Sequence, residues 1–296
     1  MNLTCANPSS RILVPAKEPA RWFGIAYDAD PYRGCSLGCI YCDSRNAIPV
    51  GEAFDSIAYR DDAADLLAAE LAAKPTGTII GIGSLYESYN PLEPSVKLTR
   101  RILETIAAAA MGVVVVTKSD LVLADIDLLK RIREKAAVAV VFSVTATNED
   151  VVKKLEPGAA STTDRFKAIA KLSSEGILTG VLMQPIVPFI TDTEANVTAI
   201  VRRAKDAGAA FVYPSFGMNL SGRQRDHFFE MIDREFPRLK NVYMDYFGSR
   251  FSCQSKFAPA LKKAFVFECK KLKIKYGMND IVKAIKPTSV VQLKLF

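Results

Sequence analysis

Short apolar runs alternate with amphipathic stretches along most of the chain. Residues 78–82 read as a buried strand, and 112–117, nearly all valine, as another. Between them, 94–111 places its apolar residues at helical spacing behind Pro94, a residue suited to a first helical turn. The alternation continues with a helix over 125–135, where Ile126, Leu129 and Ile132 share one face, and a strand over 138–144. A helix over 163–174 stopped by Gly176, a strand over 177–185, a helix over 192–206 capped by Asp192 and stopped by Gly208, and a strand over 209–214 follow. Continuous apolar strands separated by helices indicate parallel βαβ units. With a first strand near 25–33 the units number six, which predicts an α/β fold: an open, partial (β/α)6 TIM-like barrel over 25–220. Its functional groups belong at the C-terminal ends of the strands.

Beyond 220 the pattern changes to helices at 223–236, 255–272 and 279–285. Along the second, Phe257, Leu261, Phe265 and Leu272 form an apolar stripe opposite Lys262, Lys263, Lys270 and Lys271. The expected organisation is an N-terminal arm (1–24), the barrel (25–220), a basic C-terminal helical extension (221–286) and an extended tail (287–296). The chain has 296 residues, 49% apolar and 24% charged, which excludes low-complexity and disordered classes. No apolar run is long enough for a membrane span and no basic stub precedes an apolar leader, so a cytoplasmic protein without a membrane partner is expected.

The net charge of +7 is unevenly placed. Residues 253–296 carry ten lysines against Glu268 and Asp280, while the rest of the chain sums to −1. That asymmetry points to a polyanionic partner, although a solvated lysine face fits the same composition.

Of six cysteines, Cys35, Cys39 and Cys42 fall within eight residues, while Cys5, Cys253 and Cys269 are scattered. Three thiolates on one tight loop after a strand suit three irons of a [4Fe–4S] cluster, with the fourth iron open to an exogenous ligand. Gly34 and Gly38 let that loop fold closely. The competing reading is a structural zinc, whose fourth ligand would have to be Cys253, Cys269 or the single histidine, His227.

The spacing C-x3-C-x-aromatic-C, with Tyr41 in the aromatic slot, resembles the signature of radical S-adenosylmethionine (SAM) enzymes. The resemblance implies a [4Fe–4S] cluster whose open iron chelates SAM, and reductive cleavage to methionine and a 5′-deoxyadenosyl radical. It also implies an electron donor such as flavodoxin or ferredoxin. Val116-Thr117-Lys118-Ser119, Phe142-Ser143-Val144-Thr145, Leu155-Glu156-Pro157-Gly158 with Arg165, and Gln184-Pro185-Ile186 are similar to the spore photoproduct lyase group, which includes "DNA repair photolyase"-type proteins. That similarity implies SAM contacts at Lys118, Ser143 and Gln184, each placed at the end of a predicted strand. Glu156 and Arg165 could instead pair structurally.

Two departures qualify the resemblance. Where many radical SAM enzymes carry Gly-Gly-Glu to hold the methionine amine, this chain has Gly83-Ser84-Leu85-Tyr86-Glu87-Ser88-Tyr89, so Ser84, Glu87 or Ser88 must substitute. The lyase's hydrogen-returning cysteine also has no counterpart, because no cysteine lies between Cys42 and Cys253. Tyr86 or Tyr89 is left as the catalytic hydrogen donor. The expectation is a lyase-like, repair-type reaction on DNA, distinct from spore photoproduct repair itself. A substrate among RNA, proteins or small molecules remains open, as does a non-catalytic nucleic-acid-binding protein with a structural metal. Finally, Gln292-Leu293-Lys294-Leu295-Phe296 resembles the bacterial sliding-clamp binding motif, with Lys294 departing from the usual Ser or Asp. A terminal strand fits the same alternation.

Overall fold

The computed structural model describes residues 11–19, 21–49 and 51–286, so Cys5 and the Gln292-to-Phe296 motif lie outside the described residues. β1 (Val14–Pro15) pairs antiparallel with β2 (Tyr27–Asp28), and β3 (Tyr32–Arg33) pairs with β4 (Ala58–Tyr59) apart from the main sheet. α1 (Ala63–Leu71) leads into β5 (Ile79–Ile82), and α2 (Glu93–Val96) with α3 (Leu98–Ala108) into β6 (Gly112–Thr117). α4 (Ile126–Arg133) precedes β7 (Val138–Ser143). α5 (Glu149–Leu155) and α6 (Thr162–Ser174) precede β8 (Leu178–Met183), and α7 (Glu194–Asp206) precedes β9 (Phe211–Pro214).

The seven-stranded sheet has the order β1-β2-β5-β6-β7-β8-β9, parallel from β2 onward. Six parallel strands, each beside its predecessor in the sheet, make the expected open (β/α)6 barrel. A strand's period of two sorts its residues between the faces. Ile80, Val113, Val115, Val140 and Phe142 pack with helix residues such as Leu67, Ile102, Leu129 and Ile169. Ile79, Val114, Ala139, Val141, Leu182 and Phe211 form the other cluster, with Phe23 and Ile25.

The extension begins with β10 (Gly217–Asn219), α8 (Gly222–Glu235), α9 (Leu239–Phe247) and β11 (Ser252–Gln254), with β10 and β11 paired as an antiparallel ribbon. α10 (Ala258–Lys271) and α11 (Met278–Ile285) complete it. α10 buries Leu261, Phe265 and Cys269 in the main core, and α11 plugs the second cluster with Ile281 and Ile285. Leu220, Phe228, Tyr243 and Phe247 of the extension share a third cluster with Leu37, Ile40 and Phe54 around the cysteine loop. Among the described residues no helix is long and apolar enough to cross a membrane.

Four expectations need correction. The first strand contributes only Tyr27–Asp28 to the sheet, because the chain then diverges to pair Tyr32 with Tyr59. The helix expected over 94–111 breaks at Lys97, which has φ +54°, because the Glu93 carboxylate accepts the N–H groups of Thr99 and Arg100 and caps α3. The cap of α7 is Thr193, whose hydroxyl accepts the Asn196 N–H at 3.2 Å, while Asp192 accepts the Ser255 hydroxyl at 2.5 Å. Phe257 is exposed at the cap of α10 and does not belong to its buried stripe.

Candidate active site

The cysteine loop follows β3 and is held from two sides. Gly34 has φ +80°, and a Cβ there would lie 2.1 Å from the Ser56 carbonyl oxygen, so only glycine fits. On one side the Cys35 N–H donates to the Phe54 carbonyl at 2.9 Å. On the other, Ile40 N–H donates to Leu155 and Gly158 N–H donates to Leu37, at 3.0 and 2.9 Å. Cys35, Cys39 and Cys42 all border one cavity of about 830 Å³.

The cavity opens at the C-terminal ends of the strands, as a barrel of parallel strands dictates. Ser84, Tyr86 and Glu87 border it after β5, Lys118 after β6, Ser143 at the end of β7 and Gln184 after β8. Lys118 and Ser143 continue the strand faces that carry Val114 and Val141, so the period of two delivers both side chains to the same side. The Ser143 hydroxyl donates to the Gln184 carbonyl at 3.2 Å. Asn219, Ser252, Gln254 and Lys262 of the extension also border it.

Glu156 is the electrostatic hub behind the loop. Its carboxylate accepts the Tyr41 hydroxyl, the Thr145 hydroxyl at 3.0 Å and the Arg165 guanidinium. Glu156 and Arg165 are wholly buried, and Arg165 also donates to the carbonyls of Ser143 and Ala160 at 2.8 and 2.9 Å. This confirms the structural pairing the sequence allowed. Burial alone would raise the Glu156 pKa, but the Arg165 and Lys118 cations outweigh it and hold the group below the usual carboxylate range. Lys118 has its Nζ 5.8 Å from the Tyr41 ring. Burial works to discharge it, yet the Cys39 sulfur and the Glu156 carboxylate prevail and hold it above the ordinary lysine value.

The segment after β5 is shaped by carboxylates. Gly83 has φ +78°, and a Cβ there would lie 2.1 Å from the Val116 carbonyl oxygen. Asp30 accepts the N–H groups of Gly83 and Leu85 at 2.9 and 3.2 Å, and Asp28 accepts the Ser84 hydroxyl at 2.6 Å. Burial, with the Asp28 charge beside it, pushes Asp30 up to about 7. Glu87 accepts the Tyr89 N–H at 2.9 Å, the Thr117 hydroxyl at 2.7 Å and the Lys118 N–H at 2.8 Å. Its carboxylate therefore fixes the backbone at Lys118 while bordering the cavity.

Of the two tyrosines, Tyr86 borders the cavity. Tyr89 donates to Asp125 at 3.0 Å in the core and does not border the cavity, nor does the buried Ser88. These two expected site residues stand outside the cavity lining. The structure brings together Cys35, Cys39, Cys42, Tyr41, Ser84, Tyr86, Glu87, Lys118, Ser143 and Gln184. His227, Cys253 and Cys269 stand outside the cavity lining. Sequence reasoning missed Asp28 and Asp30, whose one signal was a pair of acids at the end of the first strand, and also the amides Asn219 and Gln254.

The sequence profile of the Radical SAM superfamily matches residues 30–218, which hold the cysteine triplet and Ser84, Glu87, Lys118, Ser143 and Gln184. The chain belongs to the radical SAM superfamily. It is 25% identical over 229 residues to the uncharacterized protein Rv2578c of Mycobacterium tuberculosis, spanning 75% of this chain and 67% of that one. It is 30% identical over 189 residues to the uncharacterized protein MJ0683 of Methanocaldococcus jannaschii, spanning 62% of this chain and 70% of that one. In fold it is similar to a spore photoproduct lyase mutant with bound AdoMet and dinucleoside spore photoproduct, with a TM-score of 0.66 and 16% identity over 91% of this chain and 79% of that one.

A [4Fe–4S] cluster and SAM are the cofactors of this superfamily, and the residues present fit both. Three thiols face one cavity, with no histidine and no fourth cysteine among the described residues that line it. Among the described residues no three histidine, cysteine or acidic side chains gather closely enough to hold one metal ion. A cubane, by contrast, takes its thiolates at separate corners. The cavity volume is that of a ligand site of cofactor size.

Proposed function

We propose that this radical SAM enzyme acts on DNA, by lyase-like, repair-type chemistry in the cytoplasm, and draws its electron from a donor such as flavodoxin or ferredoxin. The observation that carries this reading is the make-up of the cavity, whose lining joins the cysteine triplet with Lys262 of the basic extension. The fold similarity to spore photoproduct lyase and the lysine excess of residues 253–296 support it.

When bound, the cluster and SAM supply a reductive cleavage that yields methionine and a 5′-deoxyadenosyl radical. The chain's own residues do the rest. Cys35, Cys39 and Cys42 would hold the cluster. Lys118 would pair with the SAM carboxylate, Ser84 would receive the methionine amine, and Ser143 would offer its hydroxyl to the ribose. Gln184 presents polar groups to the adenine edge. Glu87 holds the Lys118 backbone in place, and Tyr41, fastened to Glu156, keeps the loop seated. Tyr86 is the group placed to return a hydrogen atom to a substrate radical. The tail motif from Gln292 to Phe296 is proposed to recruit the sliding clamp, and deleting it should abolish clamp binding without affecting SAM cleavage.

The deciding experiment is anaerobic reconstitution with iron and sulfide, followed by reduction in the presence of SAM and of damaged or intact oligonucleotides. Wild-type protein should release 5′-deoxyadenosine and Cys39→Ala should release none. A new product from damaged DNA supports the substrate reading; SAM cleavage with every oligonucleotide left intact would remove it.

A further inference from the structure

α10 buries Leu261, Phe265 and Cys269 at i, i+4 and i+8, which turns the opposite stripe to solvent. On that stripe stand Lys263, Phe267, Lys270 and Lys271, with Lys262 at the edge beside the buried face, all exposed. Phe267 is 68% exposed, with Lys263 one turn before it and Lys270 and Lys271 one turn after. The one acid of the helix, Glu268, is turned inward and paired with Arg202 of α7 at 2.7 Å. Among the described residues no ion pair engages Lys262, Lys263 or Lys270. The stripe is also continuous with the cavity, because Lys262 borders it.

We propose that this face of α10 is a track for a single strand of nucleic acid, with Lys262 leading the strand into the cavity; the inference rests on the DNA reading above and assigns it a surface. Lys262 and Lys270 are eight residues apart, about 12 Å along the helix axis, the reach of a few nucleotides. Lysines at that spacing hold phosphates without reading sequence. Phe267, between them, gives an unstacked base a flat apolar partner. An acidic peptide would match the charge but leave the bare ring unused, so the pattern favours a nucleic-acid strand.

The test is fluorescence anisotropy of the reconstituted full chain with a labelled single-stranded DNA oligonucleotide over a range of salt. Lys263→Ala with Lys270→Ala should lower the slope of log affinity against log salt by about 1.4, or about 0.7 for each phosphate no longer neutralised. Phe267→Ala should weaken binding about 5- to 100-fold with the slope unchanged. Circular dichroism and cluster absorbance matching wild type establish that the variants fold. Wild-type-like binding by both variants overturns the track and leaves the DNA reading standing. Absence of binding by the wild type overturns both. Polyglutamate competing as well as DNA would assign the face to acidic proteins and overturn the track, whereas tighter binding of an oligoribonucleotide keeps the track and moves the substrate to RNA.

Discussion

The Tyr41 hydroxyl donates to the carboxylate of Glu156, 115 positions further along the chain, and so joins the aromatic position of the cysteine loop to a buried ion pair. Because Glu156 neutralises the wholly buried Arg165, Glu156→Ala should cost about 3–5 kcal/mol. Tyr41→Phe leaves the pair intact and should cost about 1 kcal/mol. Urea denaturation of the metal-free protein measures both, and equal losses would show that Glu156 does not compensate Arg165.

Lys118→Met removes the cation proposed to face the SAM carboxylate. Affinity for SAM should fall about 10- to 100-fold, the value of one charge-assisted hydrogen bond. Isothermal titration of cluster-loaded protein reads the change, and unaltered affinity would exclude the pairing.

Gly34→Ala should displace the cysteine loop, since the new methyl meets the Ser56 carbonyl in a backbone conformation with φ +80°. Gly51→Ala is the control, with φ +92° and nothing within 4 Å of its Cβ, so it bears only the backbone penalty of about 1–2 kcal/mol. Iron content after reconstitution should fall in the first variant and hold in the second.

Asp30 sets a pH dependence. Its carboxyl keeps a proton in the folded protein up to about 7, whereas the unfolded chain releases it near the ordinary value of 3.8. The folded state therefore binds the extra proton between those values, and the group's contribution to stability falls as pH rises through that window. Asp30→Asn, which gives up one acceptor toward Gly83 or Leu85, should show a flatter stability profile than wild type from about pH 4 to about pH 7. A profile as steep as wild type would place the titration elsewhere.

Tyr86→Phe should leave the initial burst of SAM cleavage intact while lowering the yield of finished product relative to 5′-deoxyadenosine. Tyr89→Phe loses only its bond to Asp125, which should cost about 1 kcal/mol of stability without changing that ratio. The reverse outcome would restore Tyr89 as the hydrogen donor.

The barrel was legible where burial dominates. The valines of 113–116 and the apolar run of 138–143 have no stable place except a strand covered on both faces, and both appear as read. The break at Lys97 was hidden because it depends on Glu93 reaching two amides beyond its own helix. α1 and α9 were not anticipated, although Ala63, Leu67 and Leu71, and likewise Tyr243 and Phe247, hold helical spacing. At the site, strand-end position led to Lys118, Ser143 and Gln184, and all three border the cavity. Ser88 and Tyr89 were singled out by their place beside Glu87, and they fall outside the lining, where Tyr89 bonds Asp125.

The hydrogen bonds from the Ile40 N–H to the Leu155 carbonyl and from the Gly158 N–H to the Leu37 carbonyl join backbone to backbone. The loop that would hold the iron is thus tied at both points to the segment that follows α5. A chain purified in air, stripped of its inorganic sulfide, should consequently accept a fresh cluster without refolding, and its melting curve before loading should already be cooperative.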